Sequence, residues 1–129
     1  MNVLDTSFLV DFFQGKKETI TLIEDLDLVT TVVTYYEILS GVAHKKAKKE
    51  EKFFKQFFSE IRILNLNTAS AEKSGELMGR LLRVGMPVNA LDVLIAGIAV
   101  ANGAEKIISR DKDFEKIAKV ADIEAVIYE

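Results

Sequence analysis

Short apolar runs alternate with stretches of helical periodicity along the chain, which is the pattern of strand–helix units around a mainly parallel sheet. The predicted strands are short and rich in aliphatic or β-branched residues, at positions 2–5, 28–33, 61–66, 106–109 and 124–128. Helices are predicted from Thr6 or Ser7 to near Gly15, and at 17–25, 34–43, 44–58, 68–84, 90–101 and 114–119. The sequence therefore predicts an α/β fold.

Capping residues stand at several predicted helix starts. Thr6 or Ser7 can cap the first helix, and Asn89 can cap the apolar helix that follows it. Thr34 and Glu37 match the Thr-x-x-Glu capping box, in which the glutamate side chain accepts from the backbone N–H of the capping threonine. Each of these signals predicts that a helix begins directly after a strand or turn.

Composition narrows the possible chemistry. The 129 residues are 49% hydrophobic with a net charge of −3, which predicts one folded domain spanning residues 1–129. The chain has no cysteine, so disulfides and Cys-ligated zinc are excluded, and its single histidine, His44, rules out a two-histidine metalloprotease helix. The longest apolar run, residues 93–101, is too short to span a bilayer, and no secretory signal is present. We therefore expect a cytoplasmic protein.

Five carboxylates are predicted to project from one edge of the sheet, where parallel strands end and helices begin. They are Asp5, Glu37, Asp92, Asp111 and Asp113. Converging carboxylates repel one another, and hard divalent cations such as Mg²⁺ relieve that repulsion because they prefer oxygen ligands. Each acid also has a structural explanation, as half of a capping box (Glu37), a helix-dipole partner (Asp92) or a turn residue. Their common placement favours a metal site suited to phosphodiester hydrolysis.

Four segments resemble the PIN domain family of metal-dependent ribonucleases, and within it the VapC-type toxins of prokaryotic toxin–antitoxin pairs. They are Val-Leu-Asp-Thr-Ser-Phe-Leu-Val-Asp at 3–11, Thr-Tyr-Tyr-Glu-Ile-Leu-Ser-Gly at 34–41, Asn-Ala-Leu-Asp-Val-Leu-Ile-Ala at 89–96, and Ser-Arg-Asp-Lys-Asp-Phe at 109–114. Their order and spacing extend the resemblance over essentially the whole chain.

The resemblance implies a three-layer α/β/α sandwich and an endoribonuclease that acts as the toxin of a type II pair. It implies an acidic centre of Asp5, Glu37, Asp92 and one acid of the Asp111/Asp113 pair, with Asp5 and Asp92 as direct ligands of Mg²⁺ or Mn²⁺. Asp111 is preferred as the fourth acid because it comes first after the strand. The nucleophile would be a water activated by the cation, which Glu37 would orient or deprotonate. The implied partners are RNA, a cognate antitoxin and a second copy of the chain in a homodimer.

RNA binding requires local positive charge, because a net charge of −3 gives no overall attraction to phosphate. Arg110 and Lys112 are the cations nearest in sequence to the predicted site, so we expect them to bind substrate. Thr6 and Ser7 are assigned to the same site because either can contribute a hydroxyl. The phenylalanines at 53, 54, 57 and 58 predict core packing, with a dimer seam or an antitoxin groove as the second interpretation.

Three other interpretations remain. A phospho-receiver domain has a similar size and fold, but it needs an aspartate at the end of its third strand, where residues 63–67 contain none. A PIN-like module that binds RNA or protein without catalysis lacks support, because all four acidic positions are filled. An RNA-processing nuclease would share the same site, and the short chain favours the toxin type instead.

Overall fold

The computed structural model describes all residues from Met1 to Glu129. The strands are β1 (Asn2–Leu4), β2 (Leu28–Thr31), β3 (Arg62–Leu64), β4 (Lys106–Ser109) and β5 (Glu124–Ile127). The helices are α1 (Thr6–Phe13), α2 (Lys17–Leu22), α3 (Val32–Lys45), α4 (Lys48–Glu60), α5 (Thr68–Arg83), α6 (Ala90–Ala101) and α7 (Asp113–Ala118). No helix is both long enough and apolar enough to cross a membrane.

One five-stranded sheet organises the fold, in the order β3-β2-β1-β4-β5. Every neighbouring pair of strands is parallel, so the predicted α/β fold is confirmed and the sheet is entirely rather than mainly parallel. Because β1 is the central strand, the residue that follows it lies in the middle of the carboxyl edge.

Helices cover both faces of the sheet, because successive strand residues point to opposite sides. Val3 and Ile107 belong to one core cluster, together with buried residues of α5, α6 and α7. Leu4 and Ile108 belong to a second cluster, with buried residues of α1, α3 and α4. The two clusters make the three-layer α/β/α sandwich that the resemblance implies.

Helix α3 begins earlier than predicted. Thr31 has an extended backbone (φ −121°, ψ 158°), and its hydroxyl accepts from the backbone N–H of Thr34 at 3.2 Å. The predicted capping box of Thr34 and Glu37 is therefore wrong. Val32 and Val33 are β-branched and favour strands, yet they form the first helical turn. Glu37 consequently lies in the second turn of α3, where it has no capping role.

Helix α1 is capped by a carboxylate. Asp5 Oδ1 accepts from the backbone N–H of Phe8 at 2.9 Å, so the prediction that Thr6 or Ser7 caps this helix is wrong. The predicted cap of α6 is confirmed, since the Asn89 side chain accepts from a backbone N–H of the first turn at 2.8 Å. The acid that directly follows β1 is thus also the residue that caps α1.

Helices α5 and α6 approach each other too closely for a side chain at one position. A Cβ on Gly97 would lie 2.8 Å from both the backbone nitrogen and the Cβ of Ser74. Ser74 is buried, and its hydroxyl donates to the carbonyl of Ser70 at 2.8 Å. The glycine therefore sets how deeply the apolar helix α6 lies against its neighbour.

The phenylalanine stripe of α4 packs on α1. Phe58 is buried and Phe54 and Phe57 are half-buried, whereas Phe53 is 56% exposed. Phe13 contacts three of these rings, with centroid separations of 5.7 Å to Phe53, 4.7 Å to Phe54 and 4.9 Å to Phe57. The core-packing interpretation is therefore confirmed for this stripe, with one ring left at the surface.

Candidate active site

Asp5 is held rigidly at the carboxyl end of β1, where it is only 2% exposed. Its carboxylate accepts from the Ser109 hydroxyl at 2.7 Å and from the Ser7 hydroxyl at 3.0 Å, in addition to the Phe8 N–H. Burial disfavours the ionised form and outweighs these donors, which raises the pKa of Asp5 to about 6. The carboxylate is thus fixed in place, and its burial makes the ionised form unfavourable.

The turn after β4 belongs to the same hydrogen-bond network. Ser109 Oγ accepts from the backbone N–H of Asp111 at 2.8 Å, and Asp111 Oδ1 accepts from the backbone N–H of Asp113 at 2.9 Å. The backbone N–H of Arg110 donates to Ser7 Oγ at 3.0 Å. These bonds fix the loop that carries two acids against the start of α1.

A compact group of carboxylates lies where α6 begins and β4 ends. Asp92, Asp111 and Asp113 are half-buried, and their oxygens lie within 4.8 Å of one another. Burial raises the pKa of Asp92 to about 7, aided by repulsion from Asp111 and then from Asp5 and Glu37. Lys116 pairs with Asp113 at 3.3 Å, whereas the charged neighbours that shift the pKa of Asp92 are all acids.

Glu37 approaches this region from α3. Its Oε1 atom accepts from the Thr6 hydroxyl at 2.7 Å, and that hydroxyl lies 3.2 Å from the hydroxyl of the buried Thr34. The half-buried carboxylate is therefore oriented through one oxygen. The other oxygen has no protein donor and is available to solvent or substrate.

The structure brings the five predicted acids to one edge of the sheet. One group of three has oxygens within 4.8 Å of one another, and it joins the predicted ligand Asp92 to Asp111 and Asp113. A hard divalent cation fits this set, because the ligands are all carboxylate oxygens and the repulsion that raises the Asp92 pKa is relieved by positive charge. His44 is exposed on α3 and contributes no base to the cluster.

The predicted substrate-binding residues take up different positions. The hydroxyls of Thr6 and Ser7 are engaged by the carboxylates of Glu37 and Asp5. The Arg110 guanidinium turns to a different partner, donating to Asp11 Oδ1 at 2.7 Å. Lys112 is exposed and pairs with no carboxylate. The contact of these residues with RNA stays a prediction.

Asp11 is a buried charge to which the sequence analysis assigned no role. It is 1% exposed and accepts from Arg110, from the Tyr128 hydroxyl at 2.8 Å, and pairs with Lys16 at 3.3 Å. Its position three residues after Phe8 places it on the buried side of α1. An acid on an apolar helix face is the signal that could have identified it.

A groove runs from the acidic centre along α1, α3 and α4. It encloses about 500 Å³ and begins at Thr6 and Glu37. Phe13, Phe53 and Phe54 line its far part, and Lys45 and Glu50 stand at its rim. The groove therefore joins a charged end to an aromatic end.

Comparisons with known proteins agree with this architecture. The model of the PIN domain matches residues 3–120. The tRNA(fMet)-specific endonuclease VapC of Shigella flexneri is 27% identical over 120 residues, covering 89% of this chain and 90% of the relative. Ribonuclease VapC3 of Methanocaldococcus jannaschii is 28% identical over 96 residues, covering 74% of this chain and 95% of the relative.

Solved structures give the same assignment. A chain of VapBC-5 from Mycobacterium tuberculosis, a member of the VapBC family of toxin–antitoxin systems, superimposes with a TM-score of 0.80 at 26% identity and covers 98% of both chains. The family model extends from β1 to α7 and includes the acidic edge, so the resemblance inferred from the four sequence segments is confirmed. The chain therefore belongs to the PIN domain family.

Proposed function

We propose that this chain is a divalent-cation-dependent endoribonuclease of the VapC type, which acts as the toxin of a toxin–antitoxin pair in the cytoplasm. The observation that carries the proposal is the group of Asp92, Asp111 and Asp113, whose oxygens lie within 4.8 Å of one another beside Asp5 and Glu37. Lys116 pairs with Asp113 alone, so the repulsion at Asp92 disfavours the folded protein until a cation occupies the group.

Asp92, Asp111 and Asp113 would hold the cation, with Asp5 contributing negative charge from its fixed position. Bound there, Mg²⁺ or Mn²⁺ supplies Lewis-acid chemistry, lowering the pKa of water and neutralising charge on a phosphodiester. Glu37 orients the attacking water or accepts its proton through the oxygen that Thr6 does not occupy. Ser7 and Ser109 keep Asp5 immobile, so the acids need little reorganisation when substrate arrives.

The substrate and partners follow from the relatives. The Shigella flexneri relative is named as a tRNA(fMet)-specific endonuclease, so transfer RNA is the first substrate class to test. The structural neighbours include VapBC complexes, which supports a cognate antitoxin as the protein partner. A homodimer remains part of the proposal.

Cleavage of RNA by the purified protein tests the proposal. Transfer, ribosomal and messenger RNA would be incubated with Mg²⁺, Mn²⁺ or EDTA. Asp92→Asn should abolish cleavage while preserving the fold, and Asp122→Asn serves as the matched control because Asp122 is exposed and unpaired. We expect discrete fragments that require both metal and Asp92.

Two results would contradict the proposal. Cleavage that persists in EDTA or in Asp92→Asn would show that the acidic group is not the catalytic centre. Absence of cleavage together with absence of Mg²⁺ binding by calorimetry would favour a PIN module that binds its partner without catalysis.

A further inference from the structure

The buried carboxylate of Asp11 is shared by two cations. Arg110 Nη1 lies 2.7 Å and Lys16 Nζ 3.3 Å from the same oxygen, Oδ1, while the Tyr128 hydroxyl donates to Oδ2 at 2.8 Å. Burial, then the neighbouring Asp11, raises the pKa of Tyr128, so the phenol stays neutral. One carboxylate and two cations therefore leave one net positive charge at this position, in a chain whose total charge is −3.

Neither cation is fully used by Asp11. The Arg110 side chain is 47% exposed and the Lys16 side chain 43% exposed. A guanidinium carries five N–H donors and an ammonium three, and Asp11 is the one protein carboxylate that either side chain contacts. Donors remain on both groups for an anion from solution. The buried carboxylate already restrains the guanidinium and the ammonium group, so binding an anion costs little additional side-chain entropy.

The pair lies beside the acidic centre. Arg110 directly precedes Asp111, and its backbone N–H donates to Ser7 Oγ, which in turn donates to Asp5. Asp11 follows Asp5 by six residues along α1, a rise of about 9 Å. The two cations therefore flank the centre without entering it.

RNA needs such a site, because the acids that would hold a cation repel every phosphate that the cation does not neutralise. We infer that Lys16 and Arg110, fixed on Asp11, bind a backbone phosphate of the RNA next to the phosphodiester that is hydrolysed. This inference rests on the proposed nuclease function, since it assigns the neighbouring part of the same substrate. It adds Lys16 and the buried Asp11 to the surface that contacts RNA.

The test substitutes Lys16, because Asp11 then keeps its contacts with Arg110 and Tyr128 and the fold should be preserved. Binding of a fluorescein-labelled oligouridylate would be followed by anisotropy in EDTA, where no cleavage occurs, at several salt concentrations. Lys16→Gln should raise the Kd severalfold at low salt and reduce the slope of log K against log salt by about 0.7, the value for one phosphate contact on a single strand. Lys16→Arg should retain the wild-type slope.

The matched control is Lys17→Gln, which changes the net charge equally at the neighbouring, exposed position. We expect it to leave both the Kd and the slope unchanged. Equal effects of Lys16→Gln and Lys17→Gln would overturn the inference, because they would reveal a general charge effect. Weaker binding of the purified cognate antitoxin by Lys16→Gln, with RNA binding intact, would overturn it in favour of a protein carboxylate as the ligand.

Different results would refute the phosphate site and the proposed nuclease function. If the wild-type protein cleaves RNA while Lys16→Gln binds oligouridylate with wild-type salt dependence, the phosphate site is refuted and the nuclease stands. If the wild-type protein neither binds nor cleaves RNA, both are refuted.

Discussion

Replacing Asp92 by asparagine should stabilise the cation-free protein. Burial and repulsion by neighbouring acids raise the pKa of Asp92 from 3.8 to about 7, so ionising it opposes folding. For a fully buried group this interval corresponds to about 4 kcal/mol. Because the side chain is half-buried, solvent screening reduces the expected gain to about 2 kcal/mol.

The stability that Asp92→Asn gains over wild type must increase as the pH rises. A carboxylate with a raised pKa in the folded state carries no penalty below its unfolded value of 3.8, and the full penalty above about 7. Wild-type stability should therefore fall relative to Asp92→Asn as the pH rises across this window. The difference should be largest above about pH 8 and vanish near pH 4.

Thermal unfolding followed by circular dichroism in EDTA measures this difference. At the alkaline end we expect Asp92→Asn to melt about 7 °C higher than wild type, while the control Asp122→Asn melts at the wild-type temperature. A variant that is destabilised at pH 8, or equally stabilised at pH 4 and pH 8, would refute the argument. Loss of RNA cleavage together with a gain in stability would show that Asp92 is retained at an energetic cost.

Three further outcomes are expected. Gly97→Ala should destabilise the fold by about 1–3 kcal/mol in denaturant titration, because the new Cβ would collide with Ser74. The control Gly79→Ala has open space around its Cβ and should stabilise α5 by about 0.5–1 kcal/mol. Thr6→Val should lower the RNA cleavage rate about tenfold with the fold intact, since Glu37 loses its one protein donor; an unchanged rate would show that this hydrogen bond has no part in catalysis. Mg²⁺ at about a hundred times its Kd should stabilise the wild-type protein by about 2.7 kcal/mol. A melting temperature that does not change when Mg²⁺ is added would count against the acidic group as a cation site.

Much of the fold follows from local sequence signals. Apolar runs located all five strands, because a parallel sheet covered on both faces needs continuous hydrophobic strands. Asn89 correctly marked the start of α6, and the strands placed Asp5 and Asp111 at the same edge. The acidic centre could be found because strand ends and carboxylates coincide in the sequence.

Other features depend on the tertiary structure. Val32 and Val33 favour a strand locally, but packing of α3 on the sheet makes them helical, which moves the cap to Thr31. Lys16 is a local partner of Asp11, but the other two partners come from a turn and from the residue after β5, so no local pattern predicts them. Long-range pairs of this kind become visible only once the strand order is known.

The acidic centre also has a consequence for synthesis on the ribosome. Asp5 is synthesised well before the Ser109 hydroxyl that fixes it, which lies 104 positions later in the chain. The central strand cannot gain its second neighbour before β4 has been translated. A nascent chain therefore lacks the complete acidic edge until β4 and the turn after it have been made. The topology therefore makes the rigid placement of Asp5 depend on a segment that is synthesised much later than the strand before it.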